Sequence, residues 1–296
     1  MRRFAGLFLA LLLSSASLPA SEKLVAVLEA RPSAEAVCPA PVAFWQEVRK
    51  EPRPLHIYCL KADLSERDIE AAALITPAPG GPGPAEATLE KPAILASRQG
   101  VLAAVNSNAF AILPAADGVK SRSGPRGNPG APVDICGWAK DGSREASPAQ
   151  SGYASFWTDA GGRGHIGAAA APGEARMAVS GFKELVRDGK SLSADLKPVH
   201  PRTAVGVDAE GKTLWLVVVD GRQAGYSEGM SLGELAALMK DLGCWNALNL
   251  DGGGSSSMLL AAQGEKAELV NRPSDSPPRP VPVMLGLQRR AKRNEE

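Results

Sequence analysis

Between His200 and Met258 the chain carries side chains that could do acid–base chemistry on an anion. They are His200, Arg202, Asp220, Asn249 and Asp251, followed by Gly252, Gly253, Gly254, Ser255, Ser256 and Ser257. A guanidinium fork suits phosphate oxygens, and carboxylates suit proton transfer. Three successive glycines leave backbone amides uncovered, and such amides can cup an anionic oxygen. Cation, amide nest and carboxylates together fit an anionic substrate cleaved with acid–base help. Simple turns also place Asp before Gly, as at Asp220 and Asp251, and Arg202 could be a surface ion pair.

The flanking pattern shows how these residues would be positioned. Thr203 to Val207 and Thr213 to Val219 read as a hairpin around a turn containing Gly211. Ser231 and Glu234 form a capping box, and Leu232, Leu235, Leu238, Met239 and Leu242 follow at helical spacing up to Gly243. Ala247 to Leu250 is then a short strand. A strand–helix–strand unit makes the strands 213–219 and 246–250 parallel, so Asp220 and Asp251 leave the same sheet edge. The start of the strand 203–207 returns to that edge and brings His200 and Arg202. The two Asp then stand on neighbouring strands, or on strands separated by one.

Elsewhere the pattern is mostly of period two. Strands are expected at Leu55–Leu60, Val101–Val105, Val133–Trp138, Tyr153–Thr158 and Met177–Ser180, and a helix at Asp63–Ala73. The stretches 76–84 and 121–132 are Gly/Pro-rich loops within one domain. The glycines of 162–167 match a dinucleotide-binding spacing, but Pro172 interrupts the helix that such a fold needs. No phosphate-binding P-loop or nucleophile elbow occurs, and no cofactor is expected. Three His are too few for a dense metal-ligand set, so no metal site is expected.

The 296 residues suffice for a sizeable core, and 31 Gly with 24 Pro point to a loop-rich globular protein. A formal net charge of +1 offers no electrostatic handle for nucleic acid. Residues 1–20 read as a signal peptide, with Arg2 and Arg3, the apolar run Phe4–Leu13 and small residues up to Ala20. The expectation is a secreted or periplasmic protein without stable membrane insertion, since no later segment is apolar for long enough to span. Four cysteines in an oxidising compartment suggest a disulfide, with Cys38–Cys59 the shorter loop to close. The remaining layout is an extension at 21–54, a domain at 55–287 and a charged tail at 288–296.

The segments RTAVGVDAEGKTLWLVVVDGRQ, SLGELAALMKDLGCWNALNLDGGGSSSM and VNRPSDSPPRPV resemble the phosphodiester glycosidase family. AAVNSNAF is similar to an early element of that family, with Asn106 and Phe110 aligned and Ser107, Asn108 and Ala109 departing from the commoner residues. The resemblance implies an α+β domain with a mixed sheet that hydrolyses a sugar-1-phosphodiester on a glycan. The site residues it implies are Asn106, Arg202, Asp220, Asn249, Asp251, Gly252, Gly253, Ser255 and Ser256, with Asn271 and Arg279 at the edge. Arg202 and the glycine amides would hold the phosphate, and the two Asp would do acid–base work or bind sugar hydroxyls. The rival reading is a non-catalytic glycan-binding protein of the cell envelope that keeps the cleft.

Overall fold

The computed structural model describes residues 42–80, 83–99, 101–114, 127–142, 144–167, 175–261 and 266–290. The expected signal peptide, Cys38 and tail residues 291–296 lie outside the described residues.

Strands are numbered in chain order. A seven-stranded sheet runs β1 (Val42–Arg49), β2 (Leu55–Asp63), β16 (Thr213–Val219), β15 (Arg202–Val207), β17 (Asn246–Asn249), β13 (Lys183–Arg187), β14 (Lys190–Ser191). A five-stranded sheet runs β19 (Glu268–Leu269), β18 (Met258–Leu260), β5 (Val101–Asn106), β20 (Val283–Arg289), β3 (Ile69–Ile75). A second runs β11 (Gly164–Gly167), β10 (Ala154–Thr158), β12 (Met177–Gly181), β8 (Ala139–Asp141), β9 (Arg144–Ser147). The smallest is β4 (Ala87–Thr88), β7 (Pro132–Ile135), β6 (Phe110–Ile112). The α-helices among the described residues are α1 (Pro92–Gln99) and α2 (Leu232–Asp241).

Both faces of the central strands are apolar because both are covered. In β16, Leu214, Leu216 and Val218 point into the main core, while Trp215, Val217 and Val219 pack with Leu235 and Met239 of α2. In β5, Ala103 and Val105 enter that same main core, while Ala104 packs with Leu95 and Ala96 of α1. The seven-stranded sheet and the β5 sheet therefore face each other across one core, each with a helix on its outer side. Burying a side chain such as Leu216 contributes about 2 kcal/mol, which is why almost no position in these strands can be polar.

Helix α2 begins as its sequence requires. Ser231 accepts the Glu234 amide, and the Glu234 carboxylate accepts the Ser231 amide. Arg53 pairs with the same carboxylate and ties the helix start to the β1–β2 connection. Gly243 ends the helix with φ 93°, a conformation that costs a side-chain-bearing residue.

Three expectations change. The fold is mostly β, with two short α-helices among the described residues, and every described strand pairing is antiparallel. The α+β class holds only in part, and the mixed sheet is corrected: β16 and β17 do run parallel, but β15 lies between them. The helix expected at Asp63–Ala73 is a turn leading into β3. There Ile69, Ala71, Ala73 and Ile75 face one core and Ala72 and Leu74 another, so an apolar run buried on both faces shows no clean alternation. Finally, β1 pairs along its whole length with β2, so the sheet takes in residues that had been assigned to an extension.

Cys59, Cys136 and Cys244 are free thiols, which corrects the expected bridge at Cys59. Cys59 and Cys244 sit in the apolar layer under α2, and burial pushes both thiols up from their ordinary range. A thiol reagent should modify Cys59, Cys136 and Cys244 in denatured, unreduced protein and spare Cys59 and Cys244 in native protein. A Cys59 that stays unlabelled after denaturation without reductant would contradict this arrangement.

Candidate active site

Strand register sets the site. Arg202 pairs with Val219 and Ala204 with Asn249, and the Leu250 amide donates to the Thr203 carbonyl at 2.9 Å. Asp220 and Asp251 therefore leave the same sheet edge on either side of Pro201 and Arg202. Two strand spacings separate their backbones, roughly 10 Å.

Asn106, at the end of β5, joins the facing sheet to this edge. Its Nδ2 donates to the Asp251 carbonyl at 2.6 Å. Its Oδ1 accepts the Thr203 hydroxyl at 2.7 Å and the Ser257 amide at 3.1 Å. The Asp251 amide donates to the Ser107 carbonyl at 2.8 Å. Asn106 is buried, so these bonds clamp both ends of the loop 251–257. Asn108 is also buried and structural, donating to the Cys136 and Trp138 carbonyls and accepting the Ser180 amide.

The loop is tightly constrained. The Gly253 amide donates to the Pro201 carbonyl at 3.0 Å, and the Ser255 and Ser256 amides donate to Gly252 and Gly253 carbonyls in a single 3₁₀ turn. Of the three glycines of the expected amide nest, Gly253 has its amide engaged within the protein. A Cβ at Gly254 would overlap the Asp275–Arg279 ion pair, so glycine is needed there for close approach. Asn249 Oδ1 and the hydroxyls of Ser256 and Ser257 are buried without a hydrogen-bond partner among the described residues, while the Ser255 hydroxyl lies beside Asp251. Such groups cost free energy unless something bonds them.

Burial raises both carboxylates, and they differ in their partners. Asp220 is 1% exposed, and its oxygens accept Asn271 Nδ2 at 2.8 Å, the Arg272 amide at 2.9 Å and the Tyr226 hydroxyl at 3.4 Å. Burial raises its pKa, and these bonds oppose the rise. Asn271 Nδ2 also donates to the Ser256 carbonyl at 3.1 Å, which links Asp220 to the Asp251 loop. Asp251 keeps a partly open face. Burial pushes it up to about 6, against the weaker pull of the Ser255 hydroxyl, Arg279 and the Gly252 amide. A carboxylate with that pKa can gain or lose a proton near neutral pH.

The cations divide similarly. Arg202 donates to the Met230 carbonyl at 2.8 Å and the Pro198 carbonyl at 3.1 Å, so its fork braces backbone. Arg222 is exposed, and its guanidinium lies over Gly253, where an added Cβ would stand 3.1 Å from it. Arg222 has φ 58°, which costs a non-glycine residue about 1–2 kcal/mol. Its amide donates to the Glu228 carbonyl at 3.3 Å in the loop that holds this geometry. His200 lies near both arginines; burial lowers its pKa first, then Arg222 and Arg202. Gly221 and Gly229 pack directly on the His200–Pro201 backbone, leaving no room for side chains. Among the described residues no group of three or more His, Cys, Asp and Glu is placed to hold a metal ion.

The structure thus gathers Asn106, Arg202, Asp220, Asn249, Asp251, Gly252, Gly253, Ser255 and Ser256 at one sheet edge. Sequence reasoning did not single out Arg222, Tyr226 or Arg272. Arg272 lies over the Tyr226 ring at 4.9 Å, and Tyr226 stacks on His56 at 3.9 Å. The signal available for Arg222 was its place two residues after Asp220 at a strand end.

The chain matches the family model "Phosphodiester glycosidase" over residues 93–288. Over 103 residues it is 39% identical to the SPbeta prophage-derived uncharacterized protein YomE of Bacillus subtilis (strain 168), covering 33% of this chain. The match spans 15% of that relative's length. Among solved structures it is similar to the zebrafish N-acetylglucosamine-1-phosphodiester alpha-N-acetylglucosaminidase catalytic domain, auto-inhibited by its pro-peptide. There the TM-score is 0.59 at 22% identity, over 84% of this chain and 83% of that one. A putative exported protein from Burkholderia pseudomallei K96243 gives a TM-score of 0.54 at 19% identity, over 79% and 74% of the two chains. A hypothetical protein from Synechocystis also gives 0.54, at 16% identity, over 84% and 62%.

The raised Asp251 has a consequence for stability. Above pH 6 the folded state holds a charge that burial disfavours, and below about pH 4 both states are protonated and the cost vanishes. Asp251→Asn should therefore stabilise the fold by on the order of 2 kcal/mol at pH 8, with the gain fading towards pH 4. Urea unfolding at both pH values measures it; a variant less stable than the parent at pH 8 would contradict the environment described.

Proposed function

The chain belongs to the phosphodiester glycosidase family, and from that premise we propose that it is a hydrolase releasing a sugar from a sugar-1-phosphodiester on a glycan. An N-acetylglucosamine-1-phosphodiester is the substrate type proposed, by analogy with the name of the zebrafish enzyme. The observation that carries the reading is Asp251: a partly open carboxylate raised to about 6, beside a loop flanked by Arg222 and Arg279.

In the proposed step, ionised Asp251 takes a proton from water as the water oxygen bonds to sugar C1. The bond from C1 to the phosphate oxygen breaks, and its electron pair leaves with the phosphomonoester. That leaving group is already acidic and needs little protonation, so one carboxylate suffices. Arg222 is assigned to the phosphate, with bidentate guanidinium–oxygen bonds that offset charge on the leaving group. Asp220 is assigned as a positioning residue, because its oxygens already hold Asn271, Arg272 and Tyr226. Asn249 Oδ1 and the unpartnered Ser256 and Ser257 hydroxyls offer bonds to sugar hydroxyls. Residues 1–20 support a location outside the cytoplasm, where such glycans occur.

Purified protein should release free sugar from N-acetylglucosamine-1-phospho-methyl ester, assayed with and without chelator. With Asp251 as base, kcat/KM should rise about tenfold per pH unit up to about 6 and then level off. A profile flat from pH 4.5 to 8 would remove Asp251 from that role. No release at any pH would favour the glycan-binding reading.

A further inference from the structure

A cavity of about 460 Å³ opens on the far side of the Asp251 loop. Its walls are Pro129, Pro277, Pro278 and Pro280 with Leu259 and Leu269, and Lys91 and Arg279 stand at it as cations. Its size lies in the range of small-molecule sites, and its makeup of apolar walls with a few placed charges is typical of them.

The cavity is continuous with the candidate active site through two residues. Asp275 and Arg279 both line it, and the ion pair they form lies against Gly254, at the turn of the catalytic loop. Arg279 is also close enough to Asp251 to act on its charge. The Arg279 guanidinium, paired with Asp275, therefore lies between Gly254 of the Asp251 loop and the apolar hollow. A phosphodiester bound with its sugar at Asp251 has a second ester arm, which must point away from the sugar. Arg279 stands where the phosphate would connect the two.

We infer that this hollow is the subsite for the phosphodiester's second ester arm, and that it selects an apolar alcohol, alkyl or aryl, over a small or polar one. The inference rests on the hydrolase reading and names the substrate class of that same site. Lys91 and Arg279 complement the phosphate at the mouth, while the prolines and leucines bury the chain or ring.

The probes are two esters, N-acetylglucosamine-1-phospho-octyl and N-acetylglucosamine-1-phospho-methyl, each titrated calorimetrically into the full chain and assayed for sugar release. The octyl ester should bind at least about tenfold tighter and show a correspondingly higher kcat/KM, as expected from burying its apolar area. Leu269 is 36% exposed on β19, so Leu269→Glu leaves the core intact. It should abolish the octyl preference, bringing octyl-ester affinity and kcat/KM down towards those of the methyl ester. Equal affinity for both esters, or a preference that survives Leu269→Glu, would overturn the subsite. Tighter octyl binding lost in Leu269→Glu, with no turnover of either ester, would keep the subsite and overturn the hydrolase reading alone.

Discussion

The buried carboxamide of Asn106 is the interaction on which the site depends. It sits where two facing sheets meet and bonds the Asp251 carbonyl, the Thr203 hydroxyl and the Ser257 amide. A buried polar group left without its partner costs about 1–3 kcal/mol, so the three bonds are held together or lost together. Because two of them grip the ends of the loop 251–257, the distance between the sheets is also what fixes that loop. Core packing and site geometry are coupled at this residue.

From that clamp the electrostatic asymmetry follows. A loop pinned at both ends cannot relax to give Asp251 more partners, and its Gly253, Ser255 and Ser256 amides are engaged with Pro201 or within the turn. Asp220 leaves the same edge but meets Asn271, Arg272 and Tyr226, which satisfy it. One carboxylate thereby has its oxygens bonded within the protein, while the other keeps fewer partners, which is the contrast on which the proposed division of roles rests. The orphaned Asn249 Oδ1 and the Ser256 and Ser257 hydroxyls lie along the same strand end and loop and cost local stability there.

How much of this the residues declare can be traced element by element. The hairpin 202–219, the capped helix after Ser231 and the shared edge of Asp220 and Asp251 were legible, because turn glycine, capping box and periodicity agree there. Family membership was legible from the same segments. The strand β3 was not, since a run apolar on both faces reads equally as helix. Nor were the surroundings of the two arginines. Both Arg202 and Arg222 lie at the strand end, and only the fold shows that Met230 and Pro198 carbonyls occupy the first while the second lies over Gly253. The three glycines announce a close approach, and the fold shows to what: Gly252 approaches the Pro201 carbonyl, Gly253 the Arg222 guanidinium and Gly254 the Asp275–Arg279 pair.

The central claim is that Asp251 is the reacting carboxylate and that Asp220 serves to hold the site. Single-turnover sugar release by Asp251→Asn, on protein shown by circular dichroism to be folded, tests it most directly. The account predicts release slowed by at least about a thousandfold, in line with loss of an acid–base group. Near-parental release by the folded Asp251→Asn variant would contradict it.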